Sequence, residues 1–184
     1  MHGRSRRQVL FLPGREGKYG TNAGASRPQD EQCAAGMTVF APAKLNFSLQ
    51  ILGKREDGFH ELETLMVPVA GLCDRLEIHP SESFKLETGS AEVGPVEENL
   101  VTRALRLFEK SAGRRCPYRI KLEKRIPSGA GLGGGSSDAA AVLRALNDAE
   151  KVDFSDAELE EMAALLGSDV PFFLRDSPCW CRGR

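Results

Sequence analysis

The sequence has 184 residues and a mass of 20.1 kDa, the size of one compact domain. Apolar residues make up 41% and charged residues 28%, which argues against a collagen-like, disordered or coiled-coil chain. With 25 basic and 26 acidic side chains the formal net charge is −1, so there is no basic field for a nucleic-acid backbone and no nucleic-acid partner is expected. The longest apolar stretch, Leu65 to Cys73, contains Pro68 and is too short to cross a bilayer, so no membrane partner is expected either. The five cysteines are scattered without a Cys-x-x-Cys pair, and Cys179-x-Cys181 is too tight for an ordinary zinc arm. The three histidines show no ligand spacing. These features predict reduced thiols in a cytoplasmic protein and no metal site built from protein ligands alone.

Residues 1–36 carry six basic and three acidic side chains, many glycines and no period of 2.0 or 3.6 residues. Val9 to Leu12 is too short for a signal-peptide core. This stretch reads as a disordered leader or an upstream extension, with Met37 as the expected first residue of the domain over 37–184. Residues 38–52 and 59–70 read as two strands around a turn ending in Asp57-Gly58. Arg75–His79 and Phe84–Thr88 alternate around Pro80 and Ser81 and predict a hairpin. From Asn99, a plausible cap, Leu100, Val101, Ala104, Leu105 and Phe108 share one helical face up to Lys110. Tyr118 to Lys124 reads as a half-exposed strand, and Pro127 ends it. Ser136–Glu150 and Asp156–Leu166 read as helices, the second opened by a Ser155/Glu158 capping box and closed by Gly167. Strands cluster early and helices late, so the expected class is α+β with a mixed or antiparallel sheet and helices packed on one face.

The chemistry concentrates in Pro127, Ser128, Gly129, Ala130, Gly131, Leu132, Gly133, Gly134, Gly135, Ser136 and Ser137. Five glycines in seven residues carry a large ordering entropy. Such a run is explained when the backbone must approach a ligand closely, and before a helix it gathers N–H groups around an anion, most often a phosphate. Ser136 and Ser137 add hydroxyls for a phosphate or a Mg²⁺ ligand sphere. A Walker loop fails, because Gly135 stands where its lysine belongs. The dinucleotide pattern G-x-G-x-x-G matches at 129–134, but the strand before it carries Arg, Lys and Glu where that fingerprint has a buried apolar strand. Asp138 reads as a favourable charge in the first helical turn.

Three further segments accompany this loop: Ala41-Pro42-Ala43-Lys44-Leu45-Asn46, Gly58-Phe59-His60-Glu61-Leu62-Glu63-Thr64, and Gly167-Ser168-Asp169-Val170-Pro171-Phe172-Phe173. Together the four segments resemble the 4-diphosphocytidyl-2-C-methyl-D-erythritol kinases, of the superfamily that includes galactokinase, homoserine kinase and mevalonate kinase. The resemblance covers Met37 to Arg184. It implies the N-terminal domain of a small-metabolite kinase (ribosomal protein S5 domain 2-like), with ATP, Mg²⁺ and a small cytidine-containing alcohol as ligands. It implies Asp169 as the catalytic carboxylate and Lys44 as its catalytic cationic partner. It also implies substrate contacts from Asn46, Phe59 and His60, and Asn99 near the adenine pocket. Family members continue into a second domain after the Pro178–Arg184 run, so the expectation is a partial member with little turnover by itself. Outside this resemblance, a nicotinamide-dependent oxidoreductase and a non-catalytic nucleotide-binding fragment stay open.

Overall fold

The computed structural model describes residues 36–183 apart from 55, 57, 59, 90–94 and 176. The expected leader and Phe59 therefore lie outside the described residues. Eight elements follow in chain order: β1 (Met37–Lys54), β2 (His60–Pro80), β3 (Lys85–Thr88), α1 (Leu100–Ala112), β4 (Tyr118–Glu123), α2 (Gly134–Glu150), α3 (Asp156–Leu166) and β5 (Cys179–Gly183). Short 3₁₀ turns occupy Val96–Glu98 and Val170–Leu174.

The sheet order is β1-β2-β4-β3, with β5 also on β2. β2 is the central strand. β1 runs antiparallel along one of its edges, while β4 pairs with its residues 75–80 and β5 with its residues 62–66. The two stretches expected at 59–70 and 75–79 are one strand. The interruption between them is an irregularity where Ala43 faces Val69 and Pro42 faces Cys73.

The expected hairpin between 75–79 and 84–88 does not form. β1 and β4 already occupy both edges of that part of β2, so β3 passes to the outer edge of β4 and pairs with it in parallel. A parallel pair needs a long crossover, and α1 supplies it.

β4 alternates buried and exposed residues strictly, so the sheet has one covered face. Leu76, Ile78, Ile120 and Leu122 of the sheet meet Val101, Leu105 and Phe108 of α1 and Val142, Leu143 and Leu146 of α2, all at most 1% exposed. Burying side chains of this size is worth about 1.5–3 kcal/mol each. Asn99 caps α1, its side chain accepting from the Val101 N–H at 2.8 Å, and Gly113 closes it at φ 66°. The Ser155/Glu158 capping box opens α3. Gly167 follows α3 in extended backbone (φ 179°) rather than the left-handed cap conformation of the expected closure. α2 starts two residues earlier than the sequence predicts, so its first turn is built from the glycine loop itself.

Candidate active site

The loop from Pro127 to Gly133 joins β4 to α2. Gly129, Gly131 and Gly133 have φ of +73°, +74° and +74°, a region where a side chain is strained. At Gly129 and Gly131 no atom lies near an added Cβ. At Gly133 an added Cβ would sit 2.8 Å from the Phe173 ring and 3.0 Å from Lys44 Cγ. The loop thus closes tightly against β1, and the Lys44 N–H donates to the Leu132 carbonyl at 2.9 Å.

Residues 127–136 line a pocket of about 410 Å³ together with Glu98, Asn99, Leu100, Lys124, Ile126 and Asp138. Asn99 thus caps α1 and borders the same pocket. Ser136 lines it as well. Ser137 does not: it is 1% exposed, faces inward, and its Oγ has no partner among the described residues. Asp138 is likewise buried rather than solvated, and its carboxyl is pushed up to about 7 by burial, against the pull of Lys124.

A second pocket, of about 190 Å³, is lined by Lys44, Asn46, Leu49, Leu62, Thr64, Met66, Asp169, Cys181 and Arg182. Lys44 Nζ is 3.3 Å from Asp169 Oδ2 and donates to Asn46 Oδ1 at 3.0 Å. Lys44 and Asn46 are two residues apart on β1 and face the same way. The Lys44 side chain is 5% exposed, and Asp169, at 30%, opens toward the pocket. Asp169 is placed by the turn after α3, which is anchored by buried Val170, Phe172 and Phe173. The two phenyl rings meet edge to face at 5.0 Å. Phe173 therefore fixes Asp169 through its turn and also backs Gly133.

Lys44, Asn46 and Asp169 come together beside the loop. His60 does not join them. It is exposed at the start of β2 opposite Lys54, eight residues from Pro68, the partner of Lys44. That separation is roughly 25 Å at the rise of a strand. Sequence reasoning missed Thr64, Met66 and Cys181, which the pairing of β5 with β2 brings to the second pocket. Thr64 is 4% exposed with a hydroxyl that has no partner among the described residues, and nothing in its local sequence signals this.

The family model for the GHMP kinases N terminal domain matches residues 99–177, which hold the loop, all three helices and Asp169. Outside that span, the chain remains similar to curated relatives. It is 51% identical over 147 residues to a 4-diphosphocytidyl-2-C-methyl-D-erythritol kinase of Methylacidiphilum infernorum, covering 79% of this chain and 51% of the relative. It is 38% identical over 183 residues to a chloroplastic/chromoplastic protein of the same name from Solanum lycopersicum, covering 98% of this chain and 45% of the relative. A crystal structure of 4-(cytidine 5'-diphospho)-2C-methyl-D-erythritol kinase superposes with a TM-score of 0.69 at 46% identity, over 80% of this chain and 52% of that one. The chain spans about half the length of the curated relatives it matches. Among the described residues no helix is long and apolar enough to cross a membrane.

Proposed function

We propose that this chain is the nucleotide-binding part, over 37–184, of a 4-diphosphocytidyl-2-C-methyl-D-erythritol kinase. The reaction moves the γ-phosphoryl of ATP to the 2-hydroxyl of 4-diphosphocytidyl-2-C-methyl-D-erythritol, on the non-mevalonate route to isoprenoid precursors. The observation that carries this is the Lys44–Asp169 pair, 3.3 Å apart and tied to the wall of the glycine loop. Phosphoryl transfer needs positioning, charge neutralisation and a proton acceptor. The loop amides and the start of α2 hold the nucleotide phosphates. Asp169 accepts the hydroxyl proton as the alcohol attacks, and Lys44 keeps that carboxylate ionised and oriented. Asn46 fixes the Lys44 ammonium from the other side.

The glycine cradle, which an added Cβ at Gly133 would fill, fits a nucleotide whose phosphates lie against backbone. Ser136, which lines the same pocket, would help to hold a Mg²⁺ ion carried by those phosphates. When bound, the ion neutralises charge on the transferred group. His60, at the far end of the β1–β2 ribbon, and its sequence neighbour Phe59 recognise the cytidine, and the compartment is the cytoplasm. A dinucleotide site fits less well, because β4 has an exposed face and pairs antiparallel with β2.

The test has two parts. Calorimetric titration with ATP–Mg²⁺ and with NADH should show binding of the first alone. Phosphoryl transfer to the cytidine alcohol, measured with the C-terminal half of a relative supplied, should fall by about 10²–10⁴ in Asp169→Asn. Binding of NADH in place of ATP supports the oxidoreductase. ATP binding with no transfer in any combination supports a non-catalytic module.

A further inference from the structure

A charged cluster lies at the foot of the glycine loop, apart from the Lys44–Asp169 pair. Asp74, fully buried in β2, accepts at Oδ1 from the backbone N–H groups of Arg125 at 2.5 Å and Ile126 at 2.8 Å. These residues lead from β4 into the loop. Asp74 Oδ2 accepts from the Lys124 ammonium. The same ammonium donates to Asp138 Oδ2 at 2.8 Å, in the first turn of α2 where the loop ends. Asp138 Oδ1 has no partner among the described residues. An added Cβ at Gly134 would stand 3.1 Å from Lys124 Nζ and 3.0 Å from Ile126 Cγ2, so the helix begins directly over the ammonium. Lys124 is 15% exposed and is the one cation among the described residues that line the loop pocket, where Glu98 and Asp138 are the acids.

Stability does not explain this arrangement. Buried ions lose solvation that their pairing seldom more than offsets, and an apolar cluster of the same volume would hold the fold as well. What the cluster does uniquely is topological. It joins the central strand, the entry of the loop and its exit at a single atom, Lys124 Nζ. A run of five glycines has large freedom between those ends, and its amides serve an anion only if they converge. Burial works against the Lys124 ammonium, but Asp138 and Asp74 outweigh it and hold its pKa above the usual lysine value, so the ammonium stays charged.

We infer that Lys124, gripped by Asp74 and Asp138, is the positioning residue of the phosphate loop: it locks entry and exit in register and so governs the phosphate end of a bound nucleotide, not the adenine end. This rests on the nucleotide-binding function proposed above.

The test uses the full chain with Lys124→Met, Lys124→Arg and Asp138→Asn. Amide hydrogen exchange of residues 127–137 is followed without nucleotide, and ATP–Mg²⁺ and adenosine are titrated separately. In Lys124→Met, loop exchange should rise about tenfold or more while α3 is unchanged, as expected for one lost charge-assisted pair. ATP affinity should fall by about the same factor with adenosine affinity retained, and Lys124→Arg should restore both. Loop exchange that stays unchanged in both Lys124→Met and Asp138→Asn overturns the inference, as does a parallel loss of ATP and adenosine binding. If Lys124→Met does not fold, Asp138→Asn decides by the same two readouts. An unsubstituted chain that binds no ATP overturns the nucleotide-binding function itself, while loop exchange in the same chains still judges the staple.

Discussion

Replacing Gly133 by alanine separates two physical effects that the glycine loop combines. The residue sits at φ +74°, which costs a non-glycine residue about 1–2 kcal/mol. Its Cβ would also approach Phe173 Cζ to 2.8 Å and Lys44 Cγ to 3.0 Å. Phe173 is 6% exposed and packed edge to face on Phe172, so it has little room to yield, and overpacking of this kind costs about 1–3 kcal/mol. The sum is about 2–5 kcal/mol, or roughly 4–20 °C in Tm for a chain of this length. Gly131→Ala is the control, with the same φ of +74° and nothing near the added carbon. Thermal unfolding followed by circular dichroism should therefore rank Gly133→Ala below Gly131→Ala by about 1–3 kcal/mol. Equal melting of the two variants would refute the close packing of loop, Phe173 and Lys44.

Other expectations follow from buried polar groups and caps. Asp138 is held near 7, above its ordinary 3.8, by burial, so the folded chain keeps a proton that the unfolded chain releases between about pH 4 and 7. Stability should fall as pH rises through that window, by at most about 1.4 kcal/mol per pH unit, and urea unfolding of Asp138→Asn should lack this slope. Glu77, lowered by Arg75, and Glu158, lowered by Ser155, act oppositely below about pH 4.5, and subtracting the variant curve removes them. Thr64→Val removes a buried hydroxyl with no partner among the described residues, at nearly constant shape, and should leave Tm unchanged or raise it; a loss of more than about 1 kcal/mol would show a partner for that hydroxyl. Ser155→Ala breaks the α3 capping box and should lower stability by about 1 kcal/mol in denaturant titration, and Ser155→Asp should recover most of it.

Much of the fold was legible because the strong periodic signals were local. The α1 face, the alternation of β4 and both side-chain caps depend on neighbours a few residues away, and the structure has them. The hairpin after Pro80 was misjudged because the competitor for that edge, β4, lies some 40 residues on, and no local pattern shows which strand arrives first. The approach of β5 to Thr64 and Met66 is equally non-local.

The staple at the loop, by contrast, left a trace. Leu76 and Ile78 point inward on β2, so Asp74 shares their parity, and Lys124 shares that of Ile120 and Leu122. Two opposite charges on inward positions of neighbouring strands predict each other. Lys44 is the same kind of trace, a cation among buried alanines at 41 and 43, and its partner came from the family motif rather than from spacing.

Lys44 meets the rest of the molecule twice, through its ammonium at Asp169 and through its amide at Leu132. The second contact belongs to the main chain and survives any side-chain exchange except proline. Conventional scanning at this codon therefore reports only on chemistry, whereas swapping in proline also unfastens the rim of the cradle. Comparing the two kinds of variant divides one residue into a reagent and a hinge pin.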